Sequence, residues 1–198
     1  MRPILKISRL TNLQDARYAA AVGFDLVSFS LERGAFEKLP LTSVWNIVNW
    51  LDGPAVVLEM NVASLEEIND LSFDPAYLAF PAEEWDEMLW NYAEKLILRV
   101  SGSSPSKSLE QLLARIPGDQ LMLEVQLTHA NEVDNWQAYL DRTLLCFPSL
   151  EEARVYLESH PESGPYGISI GKEALDEEGL LDYESLDDLV AMYSDVHL

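Results

Sequence analysis

The stretch Ile4-Leu5-Lys6-Ile7-Ser8-Arg9-Leu10-Thr11-Asn12-Leu13-Gln14-Asp15-Ala16 carries the pattern that the rest of the chain repeats. Its first half is apolar enough to form a buried strand, and its second half begins a helix at Asn12, a residue type that commonly caps helix N-termini. The helix is expected to end at Gly23, because glycine readily adopts the left-handed conformation of a helix C-terminus. The stretch therefore predicts a strand, a short loop and a capped helix.

This unit recurs eight times without a linker or a low-complexity segment. The predicted strands are residues 4–9, 26–31, 55–61, 76–80, 95–100, 121–127, 143–147 and 166–171. The predicted helices are residues 12–22, 41–51, one starting at Ser64 in a capping-box pattern, 83–94, 106–116, 132–140, 149–159 and 185–194. Strands that alternate with helices pair in parallel through right-handed crossovers, so eight units predict a single α/β (β/α)₈ TIM barrel. The alternative is an open doubly wound sheet, which would normally show a glycine-rich first turn that residues 8–11 lack.

Composition limits the classes of function. A chain of 198 residues with 48% hydrophobic residues is expected to form one domain, residues 1–198. No apolar run reaches the length of a membrane span, no secretory signal is visible, and the single Cys146 predicts a reducing, cytoplasmic location. The net charge of -21 argues against nucleic acid and anionic membranes as partners. It fits a soluble acidic protein, or an acidic docking face for a basic partner.

Polar residues alternate with apolar ones along the predicted strands. In a barrel, alternate side chains point inward, and active sites lie at the carboxyl ends of the strands. The polar residues expected to point inward are Lys6, Ser8, Ser28, Ser30, Glu59, Asn61, Arg99, Glu124, Gln126 and Ser169. The alternation therefore predicts a polar site at the carboxyl-terminal mouth of the barrel.

Three stretches resemble the phosphoribosylanthranilate isomerase family of tryptophan biosynthesis. That family opens with Lys-Ile-Cys-Gly, then Thr-Asn and Asp-Ala, and this chain has Lys6-Ile7-Ser8-Arg9, Leu10-Thr11-Asn12 and Asp15-Ala16 in the same order. The family's third strand is followed by Val-Asn and then by a helix start like Ser64-Leu65-Glu66-Glu67-Ile68 of this chain. In this chain, Glu59-Met60-Asn61 comes before that helix start. Its eighth strand ends near Ser-Gly-Val-Glu, where this chain has Ile170-Gly171-Lys172-Glu173.

The resemblance implies an Amadori rearrangement of an aminoaldose phosphate, which needs a general base, a general acid and a phosphate site. Ser8 stands where the family has its catalytic cysteine, and Glu124 stands where it has its catalytic aspartate. A thiol can be tuned to a thiolate, whereas a serine hydroxyl needs its own adjacent base. Glu124 could act as the acid or could be an ion-paired inward carboxylate.

The resemblance also suggests substrate-binding positions at Arg9, Arg33, Gly171 and Asp182. Arg33 matches a family arginine that contacts the anthranilate carboxylate. The alternative interpretation is that Arg33 is an arginine of a surface loop without a role in binding. The phosphate site departs from the family pattern: Cys146-Phe147-Pro148-Ser149 replaces Ala-Gly-Gly-Leu, and Pro148 has no N–H to donate. The loop 128–132 has no glycines, and Glu173, Asp176, Glu177 and Glu178 add negative charge after Gly171.

No cofactor is expected, and no metal site is predicted, because His129, His160 and His197 lie far apart. Cys146 is expected to be a buried, packing residue rather than a nucleophile. The five tryptophans are expected to pack in helices, and one exposed pair could form an oligomer interface. Members of the family that the chain resembles occur as monomers and homodimers, so a homodimer is possible. The sequence favours an isomerase-like barrel with lost or altered isomerase activity, under two hypotheses. In the first, the protein is an enzyme that retains weak isomerase activity or acts on a different, less phosphorylated small molecule at the mouth. In the second, it is a non-catalytic acidic barrel that binds a partner. A true isomerase with a modified acid/base pair is a third alternative.

Overall fold

Eight parallel strands form the centre of the molecule. In the computed structural model, which describes residues 4–36, 38–102, 104–160, 166–171 and 181–195, each strand pairs with the next in sequence and β8 pairs with β1. The strands are β1 (Ile4–Ile7), β2 (Leu26–Ser30), β3 (Ala55–Glu59), β4 (Tyr77–Pro81), β5 (Leu96–Ser101), β6 (Leu121–Gln126), β7 (Thr143–Cys146) and β8 (Gly167–Ile170). This closure confirms the (β/α)₈ barrel and rules out the open doubly wound sheet.

Among the described residues, five α-helices and four 3₁₀ segments lie between the strands or after β8. The helices are α1 (Leu13–Val22), α2 (Leu41–Val48), α3 (Lys107–Leu113), α4 (Leu150–Ser159) and α5 (Tyr183–Asp195). The 3₁₀ segments are Val62–Asp70, Ala82–Glu84, Glu87–Asn91 and Ala130–Arg142. Asn12 caps α1 by accepting a hydrogen bond from the Asp15 N–H, and Gly23 ends it with a φ of 97°, as the sequence predicts.

Three predicted helices differ in the structure. The helix expected to start at Ser64 is a 3₁₀ helix, and its capping box joins Asn61 to Ser64 one turn earlier. The helix expected over 83–94 is two short 3₁₀ turns, because Trp85 is extended and the Asp86 side chain accepts from the Met88 N–H and starts a second turn. The helix expected over 132–140 is a 3₁₀ helix.

The apolar core has two parts. The larger part lies between the outer faces of the strands and the surrounding helices, and it includes Leu5 and Ile7 of β1. The smaller part fills the lower barrel interior with the side chains of Leu26, Val57, Ala79, Ile97, Met122 and Leu144. Lys6 and Ser8 point inward above this layer, as alternation along β1 predicts. The inner layer therefore forms an apolar floor under a polar mouth.

Candidate functional site at the barrel mouth

A cavity of about 540 Å³ opens at the carboxyl ends of the strands. Ser8 and Arg9 line it after β1, and Gly171 lines it after β8. The other charged residues that line it are Glu32, Glu59, Glu83, Arg99 and Glu124. Because barrel active sites lie at this end, the cavity is the candidate functional site.

The floor of the cavity is built around the fully buried ammonium group of Lys6. Its Nζ donates to Glu124 Oε1 at 2.7 Å and to Glu59 Oε1 at 3.3 Å. It also donates to Ser8 Oγ at 2.6 Å. Burial acts to lower the pKa of Lys6, but the two carboxylates outweigh burial and raise the pKa. Lys6 is therefore a cation at neutral pH, and it ties β1 to β3 and β6.

Glu59 is the most heavily bonded carboxylate of the mouth. Its Oε1 accepts from Ser28 Oγ at 2.6 Å as well as from Lys6, and its Oε2 accepts from Arg9 Nε at 2.9 Å and Arg99 Nη1 at 3.1 Å. Burial acts to raise its pKa, but three neighbouring cations outweigh burial and hold the pKa well below its usual range. Glu59 therefore stays ionised and positions the groups above it.

Glu32 completes a closed ring of ion pairs with Arg9, Glu59 and Arg99. Arg9 Nη2 donates to Glu32 Oε2 at 3.2 Å, and Arg99 Nη2 donates to Glu32 Oε1. Burial acts to lower the pKa of Arg99, but Glu59 and Glu32 outweigh burial and raise it. With Lys6 and Glu124, the network balances three cations against three carboxylates.

Arg9 has a strained backbone. Its φ of 59° lies in the left-handed region, which residues with a Cβ seldom adopt. Its N–H donates to Ser28 Oγ at 2.9 Å, and the two carboxylates hold its side chain over the mouth. The motif that residues 6–9 resemble has a glycine at this position, and a positive φ is typical of glycine. Strain of this kind concentrates at functional sites.

Ser8 and Glu124, the two predicted catalytic residues, share one hydrogen-bond cluster. Ser8 Oγ lies 3.3 Å from Glu124 Oε1 and 3.1 Å from Ser169 Oγ, and Ser169 donates to the same Glu124 oxygen. Glu124 Oε1 thus takes three donors, whereas its buried Oε2 has no hydrogen-bond partner within the described ranges. Among the described residues, the side-chain partners of Ser8 Oγ are the charged Lys6, the Glu124 oxygen that Lys6 already pairs, and the Ser169 hydroxyl, so no imidazole or neutral amine activates the hydroxyl.

Two other predicted site residues lie outside the cavity. Arg33 is exposed in the loop after β2, where its backbone N–H donates to Asn61 Oδ1 at 3.2 Å and its carbonyl accepts from Asn61 Nδ2. Asp182 caps α5 by accepting from the Ser185 N–H at 3.2 Å and the Ser185 hydroxyl at 2.6 Å, and these bonds lower its pKa. Asn61, which was predicted to point inward, is not among the residues that line the cavity: β3 ends at Glu59, and the Asn61 side chain bonds the Arg33 backbone.

The side of the mouth after β7 offers little to an anion. Cys146 is buried and lines the cavity, and Pro148 follows it without an N–H. Ser149 already caps α4 by accepting from the Glu152 N–H, and the first turn of α4 is acidic. A helix N-terminus that is capped and flanked by carboxylates is a poor phosphate site. The predicted acidic residues Glu173, Asp176, Glu177 and Glu178 lie outside the described residues.

Within residues 4–36, 38–102, 104–160, 166–171 and 181–195, no group of three or more His, Cys, Asp or Glu side chains could hold a metal ion. No helix within the same ranges is long and apolar enough to cross a membrane.

Sequence reasoning missed Glu32 as a mouth residue. The inward alternation of β2 runs through Leu26, Ser28 and Ser30, and continuing it by one step reaches Glu32. Its carboxylate lies 3.2 Å from Arg9 Nη2 although the strand ends at Ser30. The pattern was therefore present in the sequence, but it extended past the predicted end of the strand.

The fold and its mouth define a class: a single closed (β/α)₈ barrel with a charged cavity at the carboxyl ends of its strands. Neither protein-family models nor curated protein sequences match the chain. Solved structures do match it over nearly its whole length.

Several of the matching structures are phosphoribosylanthranilate isomerases. One such enzyme, in complex with reduced 1-(o-carboxyphenylamino)-1-deoxyribulose 5-phosphate, superimposes with a TM-score of 0.79 at 17% identity, covering 98% of this chain and 99% of that chain. The enzyme from Thermotoga maritima superimposes with a TM-score of 0.74 at 19% identity, covering 98% of this chain and 99% of that chain. The enzyme from Thermus thermophilus superimposes with a TM-score of 0.74 at 18% identity, covering 98% of this chain and 100% of that chain. The resemblance predicted from the sequence is thus confirmed at the level of the fold.

Proposed function

We propose that this protein is a phosphoribosylanthranilate isomerase-like barrel that has lost the isomerase activity and keeps a mouth for a small molecule. The proposal rests on the hydrogen bond between Lys6 and the Ser8 hydroxyl. This hydroxyl stands at the position of the family's base and accepts a 2.6 Å hydrogen bond from the charged Lys6. A hydroxyl that is bonded to a cation, and whose neighbouring carboxylate oxygen is already paired with that cation, is a poor acceptor for a carbon-bound proton.

The charge of the mouth supports the same proposal. Both arginines that line the cavity are paired with carboxylates, and Lys6 beneath them is paired as well. A phosphorylated sugar would need these cations or bare backbone N–H groups, and the α4 end of the mouth supplies a serine cap and acidic residues instead. The protein is therefore expected to bind a phosphorylated isomerase substrate poorly.

Growth complementation tests the proposal in cells. A strain that lacks phosphoribosylanthranilate isomerase should not grow without tryptophan when it expresses this chain, whereas the Thermotoga maritima enzyme should restore growth. Immunoblotting of the soluble fraction checks that both proteins accumulate. Growth that depends on Glu124 would overturn the proposal.

A retained isomerase with a modified acid/base pair is the second candidate. It is favoured by one observation: Glu124 stands at the position of the family's acid, lines the cavity and has an oxygen without a hydrogen-bond partner within the described ranges. Under this alternative, Glu124→Gln would abolish growth while Gln126→Ala, at the next inward position of β6, would preserve it. Under our proposal, neither variant changes an absent activity.

A further inference from the structure

The carboxylate of Glu32 is held as a bound ligand would be held. Its Oε2 accepts from Arg9 Nη2 at 3.2 Å and its Oε1 accepts from Arg99 Nη2, so each oxygen meets a different guanidinium. Two guanidinium groups that share one carboxylate form a strong and geometrically selective anion site. The Glu32 side chain is about nine-tenths buried between them.

A second carboxylate, besides Glu32, holds both arginines. Glu59 Oε2 holds Arg9 Nε at 2.9 Å and Arg99 Nη1 at 3.1 Å from the floor of the mouth. Glu32, in contrast, belongs to the loop after β2, and the next residues along the chain, Arg33 and Gly34, are exposed. A ligand that takes the position between the guanidinium groups would displace the Glu32 side chain by a change of its rotamer.

We infer that Arg9 and Arg99 form a carboxylate-binding subsite, and that Glu32 fills it as an internal competitor. The ligand class is a small molecule with one carboxylate group, which would displace Glu32 from the cavity wall. This subsite is separate from Arg33, which lies outside the cavity, and it requires no isomerase chemistry.

The charge balance favours a monoanion over a phosphate dianion. When Glu32 leaves, the cations Lys6, Arg9 and Arg99 balance the remaining carboxylates that line the cavity, which are Glu59, Glu83 and Glu124. A bound monocarboxylate then restores the charge that Glu32 gave, whereas a dianion adds one further negative charge beside three carboxylates. The electrostatic cost of that extra charge selects the carboxylate.

Removing the internal competitor tests the inference. Acetate is titrated in place of chloride at constant ionic strength, and binding is followed by the arginine Nε–Hε NMR signals of Arg9 and Arg99. In Glu32→Ala the acetate affinity should rise by about tenfold or more over the wild type, the factor expected if Glu32 fills the subsite at least about nine-tenths of the time. Glu32→Gln, which keeps the shape of the side chain, should show a smaller gain and guards against misfolding of the alanine variant.

The matched control is Glu67→Ala, which removes the same charge from the half-buried Lys38–Glu67 ion pair away from the cavity. It should leave acetate affinity within about twofold of the wild type, and Arg99→Gln added to Glu32→Ala should abolish the gain. An unchanged affinity in both Glu32 variants, a gain that survives Arg99→Gln, or an equal gain for inorganic phosphate would overturn the inference. The titration does not involve turnover, so its failure is separate from failure of the proposed function.

Discussion

Lys6 is the residue on which the polar mouth depends. It is fully buried and forms ion pairs with both Glu59 and Glu124. Among the described residues, Glu124 has no other cation within ion-pair distance. Removing one partner of a buried ion pair leaves an uncompensated charge in a poorly solvated place. We therefore expect Lys6→Met to lower the free energy of unfolding by about 3–5 kcal/mol in urea denaturation.

The control is Arg115→Gln, which breaks the exposed Arg115–Glu87 pair. An exposed pair contributes little, so this variant should cost less than about 1 kcal/mol. An equal decrease in the free energy of unfolding in the two variants would show that the ion pairs of Lys6 do not stabilise the fold more than an exposed ion pair does.

Glu59 makes the stability of the barrel depend on pH. Its folded pKa is well below its usual range, whereas in the unfolded chain it titrates near about 4.3. Between those two values the unfolded chain binds more protons than the folded one, so the contribution of Glu59 is present above the unfolded pKa and is lost as the pH falls toward the folded pKa. The difference in free energy of unfolding between the wild type and Glu59→Gln should therefore shrink from about pH 6 to about pH 3. A difference that stays constant over this range would contradict the assignment.

The backbone of Arg9 can be tested apart from its charge. Arg9→Gly and Arg9→Ala both remove the guanidinium, but only glycine adopts a φ of 59° without steric cost. The glycine variant should be more stable than the alanine variant by about 1 kcal/mol in thermal or urea unfolding. An alanine variant of equal or greater stability would show that the strain is absent.

At the scale of the elements, the closing seam between β8 and β1 depends on a residue without a side chain. A Cβ on Gly167 would lie 2.2 Å from the Ile4 carbonyl oxygen and 2.7 Å from Leu144 Cδ2. The first contact is with backbone, which cannot move without disturbing the pairing of β1 with β8. Gly167→Ala should lower the free energy of unfolding by about 1–3 kcal/mol, as overpacking does.

Gly118→Ala is the matched control for the seam. There the new Cβ would meet the Arg142 guanidinium group at 3.2 Å, and a long side chain can shift. The expected loss is less than about 1 kcal/mol. Equal costs at the two positions would mean that the β1–β8 seam tolerates a side chain.

The elements also show which signals the sequence holds. Strands were predictable because their apolar alternation reports burial directly, and α1 was predictable because Asn12 and Gly23 act locally. The replacement of a helix over 83–94 by two 3₁₀ turns was not predictable from periodicity. There the Asp86 side chain competes with the helical hydrogen bonds for the Met88 N–H.

At the scale of the whole molecule, the closed sheet brings together residues that are far apart in sequence. Ser8, Glu124 and Ser169 were predicted to point into one mouth, and the structure joins them in one hydrogen-bond cluster. The pairing of Glu32 with Arg9 and Arg99 could not be read from spacing, because long charged side chains reach across the barrel and their partners depend on rotamers. Asp182 and Arg33 show the converse: a position in a motif does not place a side chain in the cavity.

The most direct test of the central claim is turnover by the purified protein with the phosphoribosylanthranilate substrate, followed by loss of substrate fluorescence at high protein concentration. If the proposed loss of activity is right, the Lys6–Ser8 hydrogen bond and the pairing of both arginines that line the cavity predict a rate equal to that of Glu124→Ala and of buffer alone. The Thermotoga maritima isomerase serves as the active control in the same assay. Robust turnover by the wild type that Glu124→Ala abolishes would contradict the account.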